Sequence, residues 1–353
     1  MQRSTEHVLW ILIPTLIVVT MALFATVALS FASSHDSAIF AEPLKVIERT
    51  FPLSKNKPND PETVIFTGDV MLGRYVETLM ATHNSDYPFF YVSDLLQSSD
   101  LTFVNLEGPV SISHVQTPDE STSFSFDQSI PSLLRSHGID AVALGNNHAS
   151  DRGQDDYENT VSALSAVGIA SVGHSIDASG PIEIEVGDET LRFFSFNDTF
   201  PFNDANSYVQ MVEDQSTDDM IDIVNIHWGA EYQLSSNLDQ QELAHSLVDA
   251  GADLIIGHHP HVVQEIEQYN DVMIFYSLGN FIFDQYFSND VQQGLVVQLT
   301  IDDNNLEYSL VPIKSIMSRP QTMSEDERVA FLKALAARSD DDLERNILDA
   351  LLD

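Results

Sequence analysis

Five short apolar runs of this chain each end in a cluster of glycine and polar residues, and no other feature constrains its fold as strongly. The clusters are Gly68-Asp69, Asn105-Leu106-Glu107-Gly108, Gly145-Asn146-Asn147-His148, His227-Trp228-Gly229-Ala230-Glu231 and Gly257-His258-His259-Pro260-His261. In an open α/β sheet the carboxyl ends of the strands meet at one edge, and binding sites are built there. We therefore expect the five clusters to converge on one site.

Segments with helical spacing lie between the apolar runs. Residues 130–137 and 157–167 have the spacing of helices, whereas residues 101–105, 139–144 and 169–172 have the pattern of buried strands. This alternation of strands and helices predicts an α/β fold, with helices packed against a sheet.

The second half of the chain adds antiparallel strands. Residues 182–196 have the pattern of a hairpin that turns at Gly187-Asp188, so a purely parallel sheet is disfavoured. A helix is expected at 240–250, and another from Ser324, where Glu327 completes a capping-box pattern. Further strands are expected at 221–226, 252–256, 272–276, 294–301 and 306–311.

Residues 8–32 form an uncharged apolar segment of 25 residues, long enough to span a bilayer as a helix. An uncleaved anchor is favoured over a cleaved signal peptide, whose apolar region is normally shorter, although Ser30-Phe31-Ala32 leaves cleavage open. Because Arg3 is the only basic residue before this segment, residues 1–7 are expected in the cytoplasm and the main domain outside the cell membrane. Residues 33–62 have the composition of a linker.

The charge balance excludes one class of partner. The chain has 54 acidic and 15 basic residues and a formal net charge of -39, so it lacks the basic surface that binds nucleic acid. A large anionic polymer would also be repelled unless metal ions or local basic groups intervene. A protein that works in high salt is another account of this acidity. Cysteine is absent, so any metal ion must be held by nitrogen and oxygen atoms.

The converging residue types are suited to metal binding. Carboxylates, an amide and imidazoles together favour Mn, Fe or Zn over Ca, which prefers oxygen ligands alone. In an extended segment His259 and His261 lie on the same side, so both could reach one metal ion or two adjacent ones. Taken singly, each residue also has a structural alternative. Asp69 and Asp151 could cap helices, and Asn147 could support a turn. Glu107 could be a loop carboxylate, and His227 a core histidine.

Six short sequence motifs occur in order over residues 63–313. They are Phe66-Thr67-Gly68-Asp69-Val70-Met71-Leu72-Gly73-Arg74, Asn105-Leu106-Glu107-Gly108-Pro109, Asn146-Asn147-His148 with Asp151 and Gly153, His227-Trp228-Gly229 with Glu231, Gly257 to Val262, and Ser277-Leu278-Gly279-Asn280-Phe281-Ile282-Phe283-Asp284. In these motifs the chain resembles the capsule-synthesis and poly-γ-glutamate-synthesis protein family, often called CapA, within the calcineurin-like metallophosphoesterase superfamily.

The resemblance implies a four-layer sandwich of two mixed β-sheets flanked by helices. Beyond the region of resemblance, two helices are expected at 314–353, the first from Ser324. The resemblance also implies two divalent metal ions, Mn, Fe or Zn, that activate a water molecule. His148 would be the general acid, supported by Asp151, and His258 would be a supporting residue. The implied metal ligands are Asp69, Glu107, Asn147, His227, His259 and His261.

Two positions depart from the wider phosphoesterase pattern, and they leave enzymatic activity open. Met71 stands where those enzymes place a histidine, and Glu107 stands where they have a bridging aspartate. One function is a membrane-anchored metal-dependent hydrolase that cuts a phosphoester, or an amide or ester bond of a surface polymer. The alternative is a non-catalytic subunit of a capsule or poly-γ-glutamate synthesis and export complex, which binds polymer or partner subunits.

Overall fold

The structure, a computed structural model, describes residues 61–217, 219–302, 305–340, 343 and 347. The expected anchor at 8–32 lies outside these residues, as does the expected linker apart from its last two positions. In the part of the chain that the structure describes, no helix is long and apolar enough to cross a membrane.

Fourteen strands and seven α-helices build the described part of the chain. The strands are β1 (Glu62–Val70), β2 (Leu101–Leu106), β3 (Ala141–Ala143), β4 (Ala170–Val172), β5 (Ile182–Val186), β6 (Glu189–Asn197), β7 (Ile221–His227), β8 (Leu254–His258), β9 (Ile266–Tyr269), β10 (Val272–Phe275), β11 (Asn280–Ile282), β12 (Gln293–Asp302), β13 (Asn305–Ile316) and β14 (Arg319–Thr322). The helices are α1 (Arg74–Thr82), α2 (Ser93–Leu96), α3 (Ile130–Ser136), α4 (Gln154–Ala166), α5 (Ala205–Gln215), α6 (Leu238–Asp249) and α7 (Glu325–Ala336).

The strands form two mixed sheets. The eight-stranded sheet has the order β14-β13-β12-β1-β2-β3-β4, and β11 also pairs with β1. Strands β1 to β4 are parallel, whereas β12 to β14 join them by antiparallel pairing. The six-stranded sheet has the order β5-β6-β7-β8-β10-β9, with antiparallel pairs at both edges. The predicted α/β fold is confirmed, as is the hairpin, in which Val186 pairs with Glu189.

Three groups of buried apolar side chains hold the sheets and helices together. One group lies between the sheets, where Phe103 of β2 stacks on Phe193 of β6 with ring centroids 4.7 Å apart. On the opposite face of β1 to β3, helices α1 to α4 contribute side chains such as Leu134 and Leu164. Helices α5 and α6 cover the six-stranded sheet with side chains such as Leu247. Each fully buried Leu or Phe contributes about 1.5–3 kcal/mol.

The C-terminal part differs from the expectation of helices at 314–353. Strand β13 continues to Ile316, because an antiparallel ladder pairs its residues from Asn305 to Lys314 with β12. Strand β14 follows it. Helix α7 therefore begins only at Glu325, after the capping box expected at Ser324. The second C-terminal helix expected from the sequence lies almost entirely outside the described residues.

Candidate metal centre

Strand register brings the polar clusters to one edge of the two sheets. In the eight-stranded sheet, Asp69 of β1 pairs with Asn105 of β2 and with Asn280 of β11. In the six-stranded sheet, His227 of β7 pairs with His258 of β8. The two sheets meet here, since Nδ1 of His258 lies 3.3 Å from Oδ1 of Asp69. The side chains of separate strand ends thus form one buried cluster.

Asp69 is fully buried and surrounded by nitrogen atoms. Nδ2 of Asn105 donates a hydrogen bond to its Oδ1 at 2.8 Å, and Nδ1 of His261 lies 3.1 Å from its Oδ2. Burial alone would raise the pKa of Asp69, but the contacts with His258 and His261 outweigh burial, so this pKa lies well below its usual range. Asp69 is therefore an ionised carboxylate, the form that binds a cation.

Glu107 is fully buried, and neither of its carboxylate oxygens has a hydrogen-bond partner. The Nε2 atoms of His148 and His261 each lie 3.8 Å from its Oε1, too far for a hydrogen bond. Burial raises the pKa of Glu107 to about 7; the charge of His261 opposes this shift and that of Asp69 reinforces it. A buried carboxylate without partners is costly, so a ligand that satisfies it is expected.

His227 and His259 are neutral imidazoles. Nδ1 of His259 and Nε2 of His227 are 3.2 Å apart, so one ring donates a hydrogen bond to the other. Burial, helped by the neighbouring His259, lowers the pKa of His227 well below its usual range, and burial lowers the pKa of His259 to about 3. Neutral imidazole is the form of histidine that binds metal ions.

His261 and His258 have contrasting surroundings. Nδ1 of His261 donates to Oδ1 of Asn280 at 2.9 Å. Although burial lowers the pKa of His261, the charges of Glu107 and Asp69 outweigh burial and raise it to about 9. His258 is buried, its Nδ1 lies beside Oδ1 of Asp69, and its Nε2 has no hydrogen-bond partner. His258, which the resemblance makes only a supporting residue, therefore has one ring nitrogen, Nε2, available to a metal ion.

The loop that carries these histidines is not extended, contrary to expectation. Strand β8 ends at His258, and His259 and His261 have φ angles of +97° and +57°. Their rings nevertheless lie only 6.0 Å apart. Residues other than glycine in this left-handed region cost about 1–3 kcal/mol and are concentrated at functional sites. The loop geometry therefore brings the two rings close together where strand alternation does not.

His148 lies at the edge of the cluster and is oriented by two contacts. Its Nδ1 donates to Oδ2 of Asp151 at 2.7 Å, and its ring stacks on Phe124 with centroids 4.0 Å apart. Oδ2 of Asp151 also accepts from the backbone N–H of Phe124 at 2.6 Å. These contacts direct Nε2 of His148 toward Glu107. The expected pair His148 and Asp151 is thus in hydrogen-bond contact beside the buried carboxylates.

Three asparagines surround the cluster in different roles. Asn147, an expected ligand, has a buried Oδ1 without a hydrogen-bond partner. Nδ2 of Asn146 donates to Oδ1 of Asn105 at 3.0 Å, and its Oδ1 accepts from the backbone N–H of His148 at 3.1 Å. Asn105 and Asn146 were not predicted as functional residues. The signal that could have identified them is an amide at the buried end of an apolar strand, where it requires polar partners.

Met71 is not available to the cluster. Its side chain is fully buried in the core between the eight-stranded sheet and helices α1 to α4. Its Sδ accepts a hydrogen bond from the backbone N–H of Gly73 at 3.1 Å. The cluster therefore has no nitrogen ligand at the position where the wider superfamily has one.

The residues of the cluster fit a metal ion. Asp69, Glu107 and His227 each offer a ligand atom, and these atoms all lie within 4.8 Å of one another. Further buried polar atoms without hydrogen-bond partners are Oδ1 of Asn147 and Nε2 of His258. A cation would satisfy carboxylate oxygens, an amide oxygen and imidazole nitrogens at once. The fold and the site define an α/β protein with a buried carboxylate and imidazole cluster that could hold a metal ion.

Comparison with known proteins gives the family. Residues 63–285 match the family described as bacterial capsule synthesis protein PGA_cap. The chain belongs to this family, and the resemblance inferred from the six sequence motifs is confirmed.

Several known proteins are similar to this chain. The capsule biosynthesis protein CapA of Bacillus anthracis is 29% identical, over 82% of this chain and 79% of the relative. The PGA biosynthesis protein CapA of Bacillus subtilis (strain 168) is 30% identical, over 78% and 77%. A probable polyglutamine synthesis accessory protein of Mycobacterium tuberculosis is 22% identical, over 76% and 88%. A hypothetical protein from Thermus thermophilus of known structure is 18% identical with a TM-score of 0.48, over 71% of this chain and 99% of that chain.

Proposed function

We propose that this chain takes part in capsule or poly-γ-glutamate biosynthesis as a membrane-anchored, extracytoplasmic metal-dependent hydrolase of the metallophosphoesterase type. Its family and the names of its Bacillus relatives support the biosynthetic role. The uncharged segment at 8–32 supports the anchor, which would hold the domain near surface polymer and the subunits that synthesise and export it.

The unsatisfied carboxylate of Glu107 carries the metal-dependent part of the proposal. Both of its oxygens lack hydrogen-bond partners in a fully buried position, beside the ionised Asp69 and the neutral His227. Such an arrangement is costly without a cation and favourable with one. We propose two divalent ions, Mn, Fe or Zn, held by His258 together with the residues predicted from the sequence: Asp69, Glu107, Asn147, His227, His259 and His261.

The residues around the cluster supply the remaining chemistry. Divalent ions bound here would lower the pKa of a water molecule and polarise the phosphoester or polymer bond that is cut. Asp151 holds the Nδ1 proton of His148, so Nε2 is the atom that delivers a proton to the leaving group. Phe124 covers one face of the His148 ring and limits its rotation. Asn105 orients Asp69 by donating a hydrogen bond to its Oδ1, while Oδ2 of Asp69 lies 3.1 Å from Nδ1 of His261.

Metal analysis of the purified full-length chain tests this proposal. After reconstitution with Mn or Zn, the wild-type protein should hold stoichiometric metal, and Glu107→Gln should lose most of it because an amide binds a cation far more weakly than a carboxylate does. Glu185→Gln is the matched control, since Glu185 is exposed on β5, an edge strand of the six-stranded sheet. Wild-type protein without stoichiometric metal, or Glu107→Gln with the wild-type content, would contradict the proposal.

The buried Met71 favours a second candidate function, a non-catalytic subunit that binds polymer or partner proteins. A site without a nitrogen ligand at this position can bind metal yet lack turnover. Hydrolysis of a chromogenic phosphodiester by the metal-loaded chain distinguishes the two functions. If the chain is an enzyme, His148→Ala should lower the rate by about 10²–10⁴ with the fold and metal content intact, because a general acid contributes that much.

His83→Ala is the control for this measurement, since His83 is an exposed histidine on the loop after α1. A rate that is equal in wild-type and His148→Ala protein, or no hydrolysis by the metal-loaded wild-type protein, favours the non-catalytic function.

A further inference from the structure

Arg319 is an arginine without a counter-ion on a strongly acidic protein. Its Cζ lies 4.7 Å from the ring centroid of Tyr87 and 5.4 Å from that of Tyr91. Its Nε is buried without a hydrogen-bond partner, and no carboxylate in the described part of the chain forms a salt bridge with it. The chain has 54 acidic and 15 basic residues, so an arginine that none of the described carboxylates neutralises requires an explanation.

The acidic residues of the neighbouring segments have other contacts or face solvent. Asp86 accepts a hydrogen bond from a histidine ring nitrogen at 3.2 Å. Asp284 forms its salt bridge with Arg74. Asp94 of α2 is exposed to solvent and does not pair with Arg319. The guanidinium of Arg319 is therefore available to an anion that comes from outside the chain.

The turn before Arg319 ties it to the metal centre. Met317 and Ser318 form the two-residue turn between β13 and β14, with φ angles of +50° and +58°. Such turns normally use Asn and Gly, because other residues are strained in the left-handed region. Oγ of Ser318 donates a hydrogen bond to the carbonyl oxygen of Phe283 at 2.9 Å. The centroid of the Phe283 ring in turn lies 4.7 Å from that of His261.

The aromatic rings beside Arg319 leave room for a ligand. Tyr87 is buried, whereas Tyr91 is 50% exposed. Phe90 is 68% exposed and packs edge to face on Tyr91, with centroids 4.8 Å apart. Contact with aromatic rings orients a guanidinium without satisfying its N–H groups, and these can donate two parallel hydrogen bonds to a carboxylate. The arrangement therefore suits a carboxylate whose attached chain packs on exposed rings.

An acidic polymer with one carboxylate on each unit fits this arrangement. The net charge of -39 repels such a polymer except where a local basic group intervenes, and Arg319 is a basic group of this kind. The planar amide links of a γ-linked glutamate chain can pack on Phe90 and Tyr91 while a carboxylate reaches Arg319. Because the turn contacts the loop that packs on His261, one long chain could reach both Arg319 and the metal centre.

We propose that Arg319, with Phe90 and Tyr91, forms a subsite outside the metal centre for a carboxylate of an acidic polymer, namely a γ-linked glutamate chain. This inference rests on the proposed function for the identity of the polymer, but binding at Arg319 requires neither metal nor turnover.

Equilibrium binding to the full-length chain tests the subsite, after metal has been removed with a chelator and the chelator has been removed in turn. The probe is a γ-linked hexaglutamate at about 0.15 M NaCl. Its neutral counterpart has all carboxylates converted to carboxamides and should bind more weakly. Arg319→Gln should raise the dissociation constant for hexaglutamate about tenfold, because one charge-assisted pair is lost. Tyr91→Ala should raise it about threefold, because the guanidinium loses one of its two ring contacts.

Lys333→Gln is the matched control, since it removes the same charge from an exposed position of α7 and should bind like the wild type. Four results would overturn the subsite. They are no binding of hexaglutamate by the wild type, equal binding of the neutral probe, wild-type affinity in Arg319→Gln, and equal weakening in Lys333→Gln. Circular dichroism establishes whether Arg319→Gln is folded. If it is not, Tyr91→Ala decides, and wild-type affinity in that variant overturns the subsite.

The Glu107→Gln variant separates this proposal from the proposed function. Hexaglutamate binding that persists in Glu107→Gln and is lost when Arg319→Gln is added supports the subsite even if the metal analysis fails. The reason is that the contacts of Arg319 and of the turn before it do not involve Glu107.

Discussion

Asn105 shows how one residue organises the candidate site. Its Nδ2 donates to Asp69 at 2.8 Å and lies 3.4 Å from Nδ1 of His227, while its Oδ1 accepts from Asn146. An amide can donate and accept at the same time, which neither a carboxylate nor an aliphatic side chain can do. Asn105 therefore links carboxylate, imidazole and amide groups that come from three strand ends.

Glu62, at the opposite end of β1 from the cluster, has a raised pKa that makes stability depend on pH. Burial raises the pKa of Glu62, and the carboxylates of Asp100, Asp188 and Glu189 raise it further. Because the folded-state pKa is above the unfolded value of 4.5, the protonated form is favoured by folding. Stability from this group is fully present below pH 4.5 and is lost as pH rises through the folded pKa.

Glu62→Gln should therefore stabilise the protein at about pH 7.5, and the gain should disappear as pH falls toward about 4. Urea unfolding of wild-type and variant protein across this range measures the difference. Glu185→Gln, an exposed substitution on strand β5, is the control and should show a smaller gain. A Glu62→Gln gain that is independent of pH would contradict the electrostatic explanation.

At the scale of elements, the close approach of β1 to the turn before β11 shapes the site. A Cβ atom added to Gly68 would lie 1.9 Å from the carbonyl oxygen of Gly279, and the next residue, Asp69, donates its N–H to that same oxygen at 3.0 Å. Only glycine permits this contact, which sets the position of Asp69 beside Asn280.

Gly68→Ala should lower the free energy of unfolding by about 3 kcal/mol, the upper part of the usual range for overpacking a buried site. It should also weaken metal binding, because Asp69 moves with the strand. Urea unfolding and metal analysis of the same preparation measure both effects. Gly180→Ala is the control, since no atom lies within 4 Å of its added Cβ. Equal stability of the two variants would show that β1 can move away from the turn at little cost.

The sequence predicted many elements of the fold, but not helices α1, α2 and α5 or three short strands. Strands β2 and β7 and the β5–β6 hairpin have apolar runs long enough to show periodicity. Strands β9, β11 and β14 span three or four residues and exist because neighbouring strands offer them hydrogen bonds, whereas the equally short β3 and β4 lie in recognisable apolar runs. The same tertiary pairing extends β13 past the boundary expected at 313.

At the scale of the whole molecule, the net charge of -39 dominates. Repulsion among so many carboxylates destabilises the compact state. Salt weakens this repulsion, because the Debye length falls from about 10 Å at 0.1 M to about 3 Å at 1 M. The urea midpoint should therefore rise between about 0.1 M and 1 M NaCl. KCl should give the same rise, since screening depends on ion valence and concentration. A midpoint that is constant or falls would show that carboxylate repulsion does not limit stability.

The sequence by itself determined the α/β class, the family and the set of polar residues at the strand ends, because apolar periodicity and short sequence motifs are local properties. The tertiary structure decided which of those residues meet. Register placed Asp69 beside Asn105 and His258 beside Asp69, and it left the carboxylate of Glu107 without a hydrogen bond. Packing also brought Arg319 against the rings of Tyr87 and Tyr91. Contacts between residues so distant in sequence depend on packing, which no local pattern encodes.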